Sequence, residues 1–107
     1  MLLMGMPASP PAIIITLTKE EMAKRAIGTI TVSRSEARCA LKIAYKESRY
    51  DPKALNKKSG ARGMWQLMWG KPTWNIWKQT DEADKYVKHR YKTWCSAYRH
   101  HQERNWY

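Results

Sequence analysis

Apolar residues recur at helical spacing most clearly in the stretch between Ser33 and Asp51. One stripe of the predicted helix is formed by Ala37, Ala40, Leu41, Ala44, Tyr45 and Ser48. Ser33-Arg-Ser-Glu36 matches a capping box, in which the serine oxygen and the glutamate carboxylate satisfy two backbone amides reciprocally. Because a residue before a proline is disfavoured in the helical region, Asp51-Pro52 stops the helix, which is predicted to run to about Ser48.

The segment before this helix is predicted to be an extended arm followed by a short helix. Prolines at positions 7, 10 and 11 favour an extended course for residues 1 to about 17, and the β-branched run 13–15 could be a short strand or a segment docked on a partner. Thr18-Lys-Glu-Glu21 is another capping-box pattern, whose helix runs through Ala26 and is ended by Gly28. We therefore expect two parts, an arm with a short helix over 1–32 and the main domain over 33–107.

The rest of the chain predicts more short helices joined by loops. Residues 53–63 are polar and contain Asn, Ser and Gly, which is typical of a loop, and the short apolar segment 64–69 breaks at Gly70-Lys71-Pro72. The helices predicted after it are a turn at 74–77 capped by Thr73, a helix to about Lys92 capped by Thr80 or Asp81, and a last helix from Trp94 to about Arg104 begun by Thr93. The expected fold class is mainly α.

The composition agrees with a basic globular domain. The chain has 107 residues, of which 43% are hydrophobic, too many for a disordered chain, and no stretch approaches the roughly 18–20 apolar residues that cross a bilayer. Twenty Lys and Arg against nine Asp and Glu give a net charge of +11, which favours a polyanionic partner. Six Trp and six Tyr with no Phe suit a groove in which rings stack on a polar ligand.

The cysteines and histidines give no reason to expect a metal or another cofactor. Cys39 and Cys95 lack Cys-x-x-Cys spacing, so they are either two buried free thiols or one disulfide that ties an early helix to a late one. His100-His101-x-Glu103 contains metal-ligand residue types but lacks His-x-x-x-His spacing, and we interpret it as helix surface.

Glu47 is the candidate chemical group. It lies in the last turn of a predicted helix beside Ile43, Ala44 and Tyr45, where partial burial and the negative end of the helix dipole both raise the pKa of a carboxyl group. A raised pKa suits a general acid near neutral pH. A lone glutamate at a helix end is more often a surface residue, so the surrounding pattern decides between the two interpretations.

That pattern resembles the signature of the lytic transglycosylase domain of the lysozyme-like superfamily. The matching residues are Glu47, Ser48, Asp51, Pro52, Ala54, Asn56, Ser59, Gly60, Ala61, Gly63, Gln66 and Met68. The C-terminal part resembles the compact form of this domain in phages and thick-walled bacteria, through Arg90-Tyr91, Trp94-Cys95-Ser-Ala97 and His101-Gln102 before Trp106-Tyr107. The resemblance covers about residues 36–107 and implies a lysozyme-like fold of short helices with long loops.

The resemblance also implies roles for individual residues. Glu47 would be the catalytic acid and base, Ser48 would help orient it and the substrate, and Gln66 and Met68 would flank the scissile sugar. The family's Ala-Tyr-Asn-x-Gly motif, whose tyrosine faces the acid, is replaced here by Ala97-Tyr98-Arg99-His100, which makes Tyr98 the candidate, with Tyr107 and Tyr91 as substitutes. Trp65, Trp69 and Trp74 either stack on sugars or belong to a Trp-rich core. Asp51, Asn56 and Ser59 are interpreted as loop-stabilising residues.

The expected reaction is cleavage of the β-1,4 bond between N-acetylmuramic acid and N-acetylglucosamine in peptidoglycan. Glycoside hydrolysis ordinarily needs two carboxylates, and no second acid after Glu47 lies in a matching motif. A single-carboxylate scheme that yields a 1,6-anhydro product therefore fits better. The alternatives are a muramidase-type hydrolase of the same bond, a virion component that keeps the fold without activity, and a nucleic-acid-binding module, for which no recognised motif is present.

The expected place of action is the bacterial cell wall. The N-terminal residues lack a basic n-region, and prolines interrupt any apolar h-region, so we recognise no signal peptide. This favours a phage product that is carried by the virion or released at lysis, with residues 1–32 able to contact tail proteins.

Overall fold

The computed structural model describes residues 16–107, and within that range the chain forms four helices joined by loops, with no β-strand. The helices are α1 (Lys19–Ile27), α2 (Arg34–Ser48), α3 (Ile76–Arg90) and α4 (Trp94–Arg104). Isolated bridges pair Arg62 with Leu55 and with Leu67. The mainly α prediction is thus confirmed, while the expected arm, including the run 13–15, lies almost wholly outside the described residues. None of the four helices is long and apolar enough to cross a bilayer.

Three helices begin and end as predicted, and one of them is α2, which has Ser33 as its N-cap and ends at Ser48. At α1, the Thr18 hydroxyl accepts from the Glu21 amide at 3.1 Å, and the Glu21 carboxylate accepts from the Thr18 amide at 3.3 Å, so the capping box is complete. The helix ends at Gly28. At α4, the Thr93 hydroxyl accepts from the Ser96 amide at 3.0 Å, and the helix runs to Arg104.

The capping box predicted at Ser33 is only half formed. The Ser33 hydroxyl accepts from the Glu36 amide at 3.3 Å, as expected at an N-cap. The Glu36 carboxylate instead accepts from the backbone amides of Trp94 at 2.6 Å and Cys95 at 3.1 Å. Glu36 therefore caps the start of α4, where unpaired amides and the positive end of the helix dipole favour an anion.

The predicted start of α3 was wrong, whereas its predicted end at about Lys92 lies close to the observed end at Arg90. A single helix begins at Ile76, because the Asn75 side chain accepts from the Lys78 amide at 2.9 Å, and it continues through positions 80 and 81 without a break. Thr80 is buried in this helix, where its hydroxyl accepts from the Trp65 indole at 3.0 Å. Its side chain thus supports a tertiary contact and does not cap a helix.

The helices share one hydrophobic core. Its buried members are Ala23, Ala26, Ile27, Ala40, Ile43, Ala44, Met64, Trp65, Leu67, Ile76, Ala83, Val87, Trp94 and Ala97. The α1 helix, which the sequence places with the N-terminal arm, contributes three of these residues and packs on α2 and α3. Helix α1 therefore shares the core of the later helices, and the division near residue 32 stays a prediction.

α2 and α4 lie side by side and point the same way. A disulfide joins Cys39 to Cys95, with the two Cα atoms 5.0 Å apart, and Glu36 meets the same end of α4. Toward the other end, Glu47 of α2 meets His101 of α4. Of the two possibilities for the cysteines, the structure therefore shows the disulfide. The pairing of α2 with α4 positions the candidate site.

Candidate active site

The Glu47 carboxyl group is sheltered but reaches solvent. It lies in the last turn of α2, its side chain is 18% exposed, and its Oε1 lies 2.8 Å from Nε2 of His101. Burial raises the pKa of Glu47 above its ordinary value, and the hydrogen bond with His101 opposes that rise without cancelling it. The environment expected of a general acid is therefore present at this position.

His101 is buried, and its interpretation as helix surface was wrong. The residue is 5% exposed, and in the described range no cluster of three metal-ligating side chains includes it. Trp94 and Ala97, seven and four residues earlier, are buried on the same face of α4. That helical spacing was the pattern that could have identified His101 as an inward-facing residue.

Tyr107, one of the two substitutes considered for Tyr98, is the tyrosine that reaches this region. Its ring stacks on that of His101 with the centroids 6.1 Å apart, and its hydroxyl donates to the Trp65 carbonyl at 2.6 Å. Burial, followed by the negative charge of Glu47, raises the pKa of Tyr107 well above its ordinary value. Tyr107 therefore remains a neutral hydrogen-bond donor beside the carboxyl group.

Tyr98 lies elsewhere on the pair of α2 and α4. The ammonium groups of Lys42 and Lys46 lie 5.2 and 5.4 Å from the centroid of its ring, a cation–π arrangement. No hydrogen bond joins Tyr98 to Glu47 in the part of the chain that the structure describes. Its role as the tyrosine facing the acid stays a prediction, which these contacts do not support.

Ser48 connects the end of α2 to the loop that contains Met64. Its hydroxyl lies 2.7 Å from the Met64 carbonyl and 3.2 Å from the Ala44 carbonyl, and it accepts from the Asp51 amide at 3.1 Å. These contacts orient the backbone beside Glu47. Contact of Ser48 with a substrate stays a prediction.

Gln79 fixes the same loop from the opposite side, and the sequence analysis missed it. Its side chain accepts from the Met64 amide at 2.8 Å and donates to the carbonyls of Pro52 and Trp74, both at 3.0 Å. A buried glutamine among the apolar residues Ile76 and Ala83 of α3 was the available pattern, because a buried amide must find hydrogen-bond partners.

Gly63 permits the close approach of Gln79. It has φ +86°, and a Cβ atom built there would lie 2.4 Å from Oε1 of Gln79. A side chain at position 63 would therefore be both strained and blocked by a neighbour. The presence of glycine at this motif position is therefore explained by the backbone conformation and by Gln79, neither of which the sequence spacing revealed.

Within residues 16–107, Gln66 has an oxygen without a hydrogen-bond donor and Met68 has an exposed side chain, so a ligand could contact both. The Gln66 amide nitrogen donates to the carbonyls of Gly63 at 3.0 Å and Ala54 at 3.3 Å, which leaves its Oε1 without a donor in the described chain. The Met68 side chain is 64% exposed. Trp65, by contrast, is completely buried against Trp94, so the sugar-stacking role considered for it was wrong and the core alternative holds.

A separate cavity of about 520 Å³ opens between α1, the loop after α2 and the start of α3. Its lining combines apolar side chains with four basic ones, namely Lys19, Lys53, Arg62 and Lys71. Neither Glu47 nor His101 lines it. The cavity is therefore distinct from the carboxyl site.

Comparison with known proteins gives one match. The sequence model of the family described as transglycosylase SLT domain matches residues 26–96, whereas no curated protein and no solved structure matches the chain. The matched region contains Glu47, Ser48, Gln66 and Met68 and ends before His101 and Tyr107. It covers most of the chain, and the helical architecture agrees with the lysozyme-like fold of this family. The chain therefore belongs to the transglycosylase SLT domain family.

Proposed function

We propose that this protein is a peptidoglycan lytic transglycosylase in which Glu47 acts first as an acid and then as a base. Family membership supports activity of this general type on peptidoglycan. The observation that carries the specific proposal is the Glu47 carboxyl group, which is sheltered, has a raised pKa and has one oxygen held by His101. The proposed bond is the β-1,4 linkage between N-acetylmuramic acid and N-acetylglucosamine, and the proposed place of action is the bacterial cell wall.

The proposed reaction begins with proton transfer from Glu47 to the glycosidic oxygen. The bond between that oxygen and C1 of the muramic acid breaks, and its electron pair stays on the leaving oxygen. The carbonyl oxygen of the substrate's own N-acetyl group bonds to C1 and spreads the positive charge. The C6 oxygen then replaces it at C1 while Glu47 takes the C6 hydroxyl proton, so the carboxyl group ends protonated as it began.

The structural partners of Asp51 and Glu36, the acids on either side of Glu47 in the sequence, support this scheme over ordinary hydrolysis. Asp51, the nearest acid along the sequence, accepts from the Lys53 amide at 2.9 Å and lies 3.6 Å from the Lys19 ammonium. Glu36 is bound to the start of α4. A hydrolase needs a second carboxylate roughly 5–9.5 Å from the first, and these acids already have structural partners.

Gln66 and Met68 are proposed to form the wall of the sugar site. The Oε1 of Gln66 can accept from an N-acetyl N–H or a sugar hydroxyl, because its own amide nitrogen is already fixed to the loop. The net charge of +11 would favour contact with an anionic wall.

A clearing assay on purified peptidoglycan tests the proposal. We expect the wild-type chain to clear the suspension and Glu47→Gln to lower the initial rate by about 100-fold or more, the usual contribution of a general acid. Glu103→Gln, an exposed acid on α4, removes the same charge and should clear like the wild type. A wild-type chain that leaves peptidoglycan intact, or a Glu47→Gln variant that clears it normally, contradicts the proposal.

Mass spectrometry of the products then separates the two enzyme classes. The transglycosylase predicts 1,6-anhydro-muropeptides, and a muramidase predicts reducing ends with one added water. Binding to DNA at physiological salt without clearing would instead favour the nucleic-acid-binding alternative.

A further inference from the structure

We propose that His101 is the positioning residue of Glu47 and that its Nε2–H holds Oε1 as a fixed acceptor, which leaves Oε2 to carry the proton that reacts. The inference rests on the proposed role of Glu47. Its first support is the 2.8 Å contact between Nε2 and Oε1, with both side chains largely removed from solvent. Oε2 has no hydrogen-bond partner in the range 16–107. His101 lies outside the matched family region and outside the motif from Glu47 to Met68.

The second nitrogen of His101 indicates where the ring proton lies. Nδ1 is buried and has no hydrogen-bond partner among the described residues. A buried N–H without an acceptor is rarer and less favourable than a buried acceptor without a donor. Both the Nδ1–H tautomer and the imidazolium would place such an N–H at this atom. The hydrogen bonding therefore favours the neutral Nε2–H tautomer, which donates to Oε1.

The His101 ring is itself held in place. Tyr107 stacks on it, and the Tyr107 hydroxyl is fixed to the Trp65 carbonyl at 2.6 Å. From α3, the Tyr86 hydroxyl donates to the Tyr107 carbonyl at 3.0 Å. Imidazole, tyrosine and core backbone thus form a connected chain of contacts that ends at Glu47. A carboxyl group supported in this way keeps its geometry through a reaction cycle.

Among the described residues, few titratable groups face Glu47 and His101, and only these could change the protonation of Glu47. From α4 it is His101, from the C-terminal segment it is Tyr107, and from α3 it is Tyr86 through the Tyr107 carbonyl. Lys46 neighbours Glu47 in sequence, but its ammonium lies over the Tyr98 ring. His101 is therefore the single hydrogen-bonding side chain in direct contact with the carboxyl group in the described structure.

Two variants of His101 distinguish a specific hydrogen bond from simple packing. His101→Gln keeps an N–H donor near the place of Nε2, whereas His101→Phe keeps an aromatic ring and removes the donor. Because the hydrogen bond opposes the effect of burial, its loss in His101→Phe should raise the pKa of Glu47 further. In His101→Gln the pKa should stay near the wild-type value.

Nuclear magnetic resonance tests the pair without any substrate. With ¹⁵N-labelled histidine, we expect the His101 ring to be protonated at Nε2 and bare at Nδ1 near neutral pH, its signals being assigned by their loss in His101→Gln. A ¹³C titration of the Glu47 carboxyl, assigned with Glu47→Gln, should give a higher midpoint in His101→Phe than in the wild type. An Nδ1–H tautomer, an imidazolium, or identical midpoints in all three proteins would overturn the proposal.

The pH profile of peptidoglycan clearing tests the consequence for activity. We expect His101→Phe to clear about 10- to 100-fold more slowly, the effect of a misplaced reacting group, and its alkaline limb to move to higher pH. His101→Gln should recover most of the rate, and His89→Gln, which changes an exposed histidine of α3, should behave as wild type. Thermal unfolding shows whether each variant is folded.

The outcomes keep the two proposals apart. If the wild-type chain does not clear peptidoglycan, the proposed function fails, while the resonance measurements still decide the state of the pair. If the wild type clears and His101→Phe has the same rate and profile, the positioning role is wrong although the function stands. If His101→Phe does not fold, the positioning role is tested by the ring tautomer and by the rate of His101→Gln. An Nε2–H tautomer and a rate near the wild-type value support it, and any other tautomer contradicts it.

Discussion

Two glutamates of α2 meet α4 at opposite ends, and they differ in how many of their oxygens are bound. Both oxygens of Glu36 accept from backbone amides, those of Trp94 at 2.6 Å and Cys95 at 3.1 Å. Glu47 has one oxygen bound, to the His101 ring at 2.8 Å. A backbone amide does not give up its proton near neutral pH, whereas a carboxyl oxygen without a partner can take one and give it away.

The two ends also differ in how the helices are joined. Beside Glu36, the disulfide between Cys39 and Cys95 joins the helices covalently. At the Glu47 end, the connection consists of one side-chain hydrogen bond and the stacking of Tyr107 on His101. The first end can therefore fix the register of the two helices, and the second can present a carboxyl group at a defined place. The same residue type serves structure in one case and is suited to chemistry in the other.

Removing the disulfide should produce the largest loss of stability. The double variant Cys39→Ala, Cys95→Ala releases a long loop in the unfolded chain, and we expect a loss of about 4 kcal/mol in the free energy of unfolding. Urea denaturation of the oxidised wild type and of the variant measures the difference. A reducing agent should lower the stability of the wild type and leave that of the variant unchanged. A loss below about 1 kcal/mol would contradict the structural role given to this bond.

Replacing Glu36 should affect stability more than activity. Glu36→Ala leaves two amides at the start of α4 without their acceptor, and we expect a loss of about 2–3 kcal/mol, since hydrogen bonds to charged groups are the stronger ones. Clearing activity per folded molecule should stay within a few-fold of the wild type, in contrast to Glu47→Gln. The comparison of the two glutamates fails if Glu36→Ala is as inactive as Glu47→Gln while remaining folded.

The sequence identified those parts of the fold that depend on neighbouring residues. The capping box at Thr18 and the stop after Ser48 involve contacts within six residues, and both were predicted correctly. The partner of Glu36 lies 58 residues away, so a local pattern assigned its carboxylate to the wrong amide. The start of α3 was misplaced for a related reason, because the buried contact of Thr80 with Trp65 is invisible in local capping preferences.

The candidate site likewise consists of residues that a local pattern identified and residues that only tertiary packing brings together. The motif around Glu47 pointed to the correct family because its spacing reflects one continuous loop. His101 and Tyr107 lie beyond that motif, and they meet Glu47 only through the packing of α4 on α2. Spacing to its immediate neighbours in the sequence made His101 resemble a surface residue. The buried face made by Trp94 and Ala97 would have corrected that interpretation.

The smallest expected effect is the influence of Glu47 on stability as pH changes. Because burial raises the pKa of Glu47 above its ordinary value of 4.5, the folded protein keeps a proton that the unfolded chain has already lost between the two values. The stabilising contribution of Glu47 is therefore fully present below about pH 4.5 and is lost as pH rises through the raised pKa. Each pH unit between the two values is worth about 1.4 kcal/mol.

Glu47→Gln removes this titration while keeping an oxygen that can accept from His101. We therefore expect the variant to gain stability relative to the wild type as pH rises from 4 to 8, and to be the more stable of the two near neutral pH, since it no longer buries a carboxylate. Urea denaturation at several pH values measures the difference, and Glu103→Gln should show no such trend because Glu103 is exposed. A wild-type advantage that grows with pH would mean that the fold favours the charged form, which is the wrong state for a group that must first donate a proton.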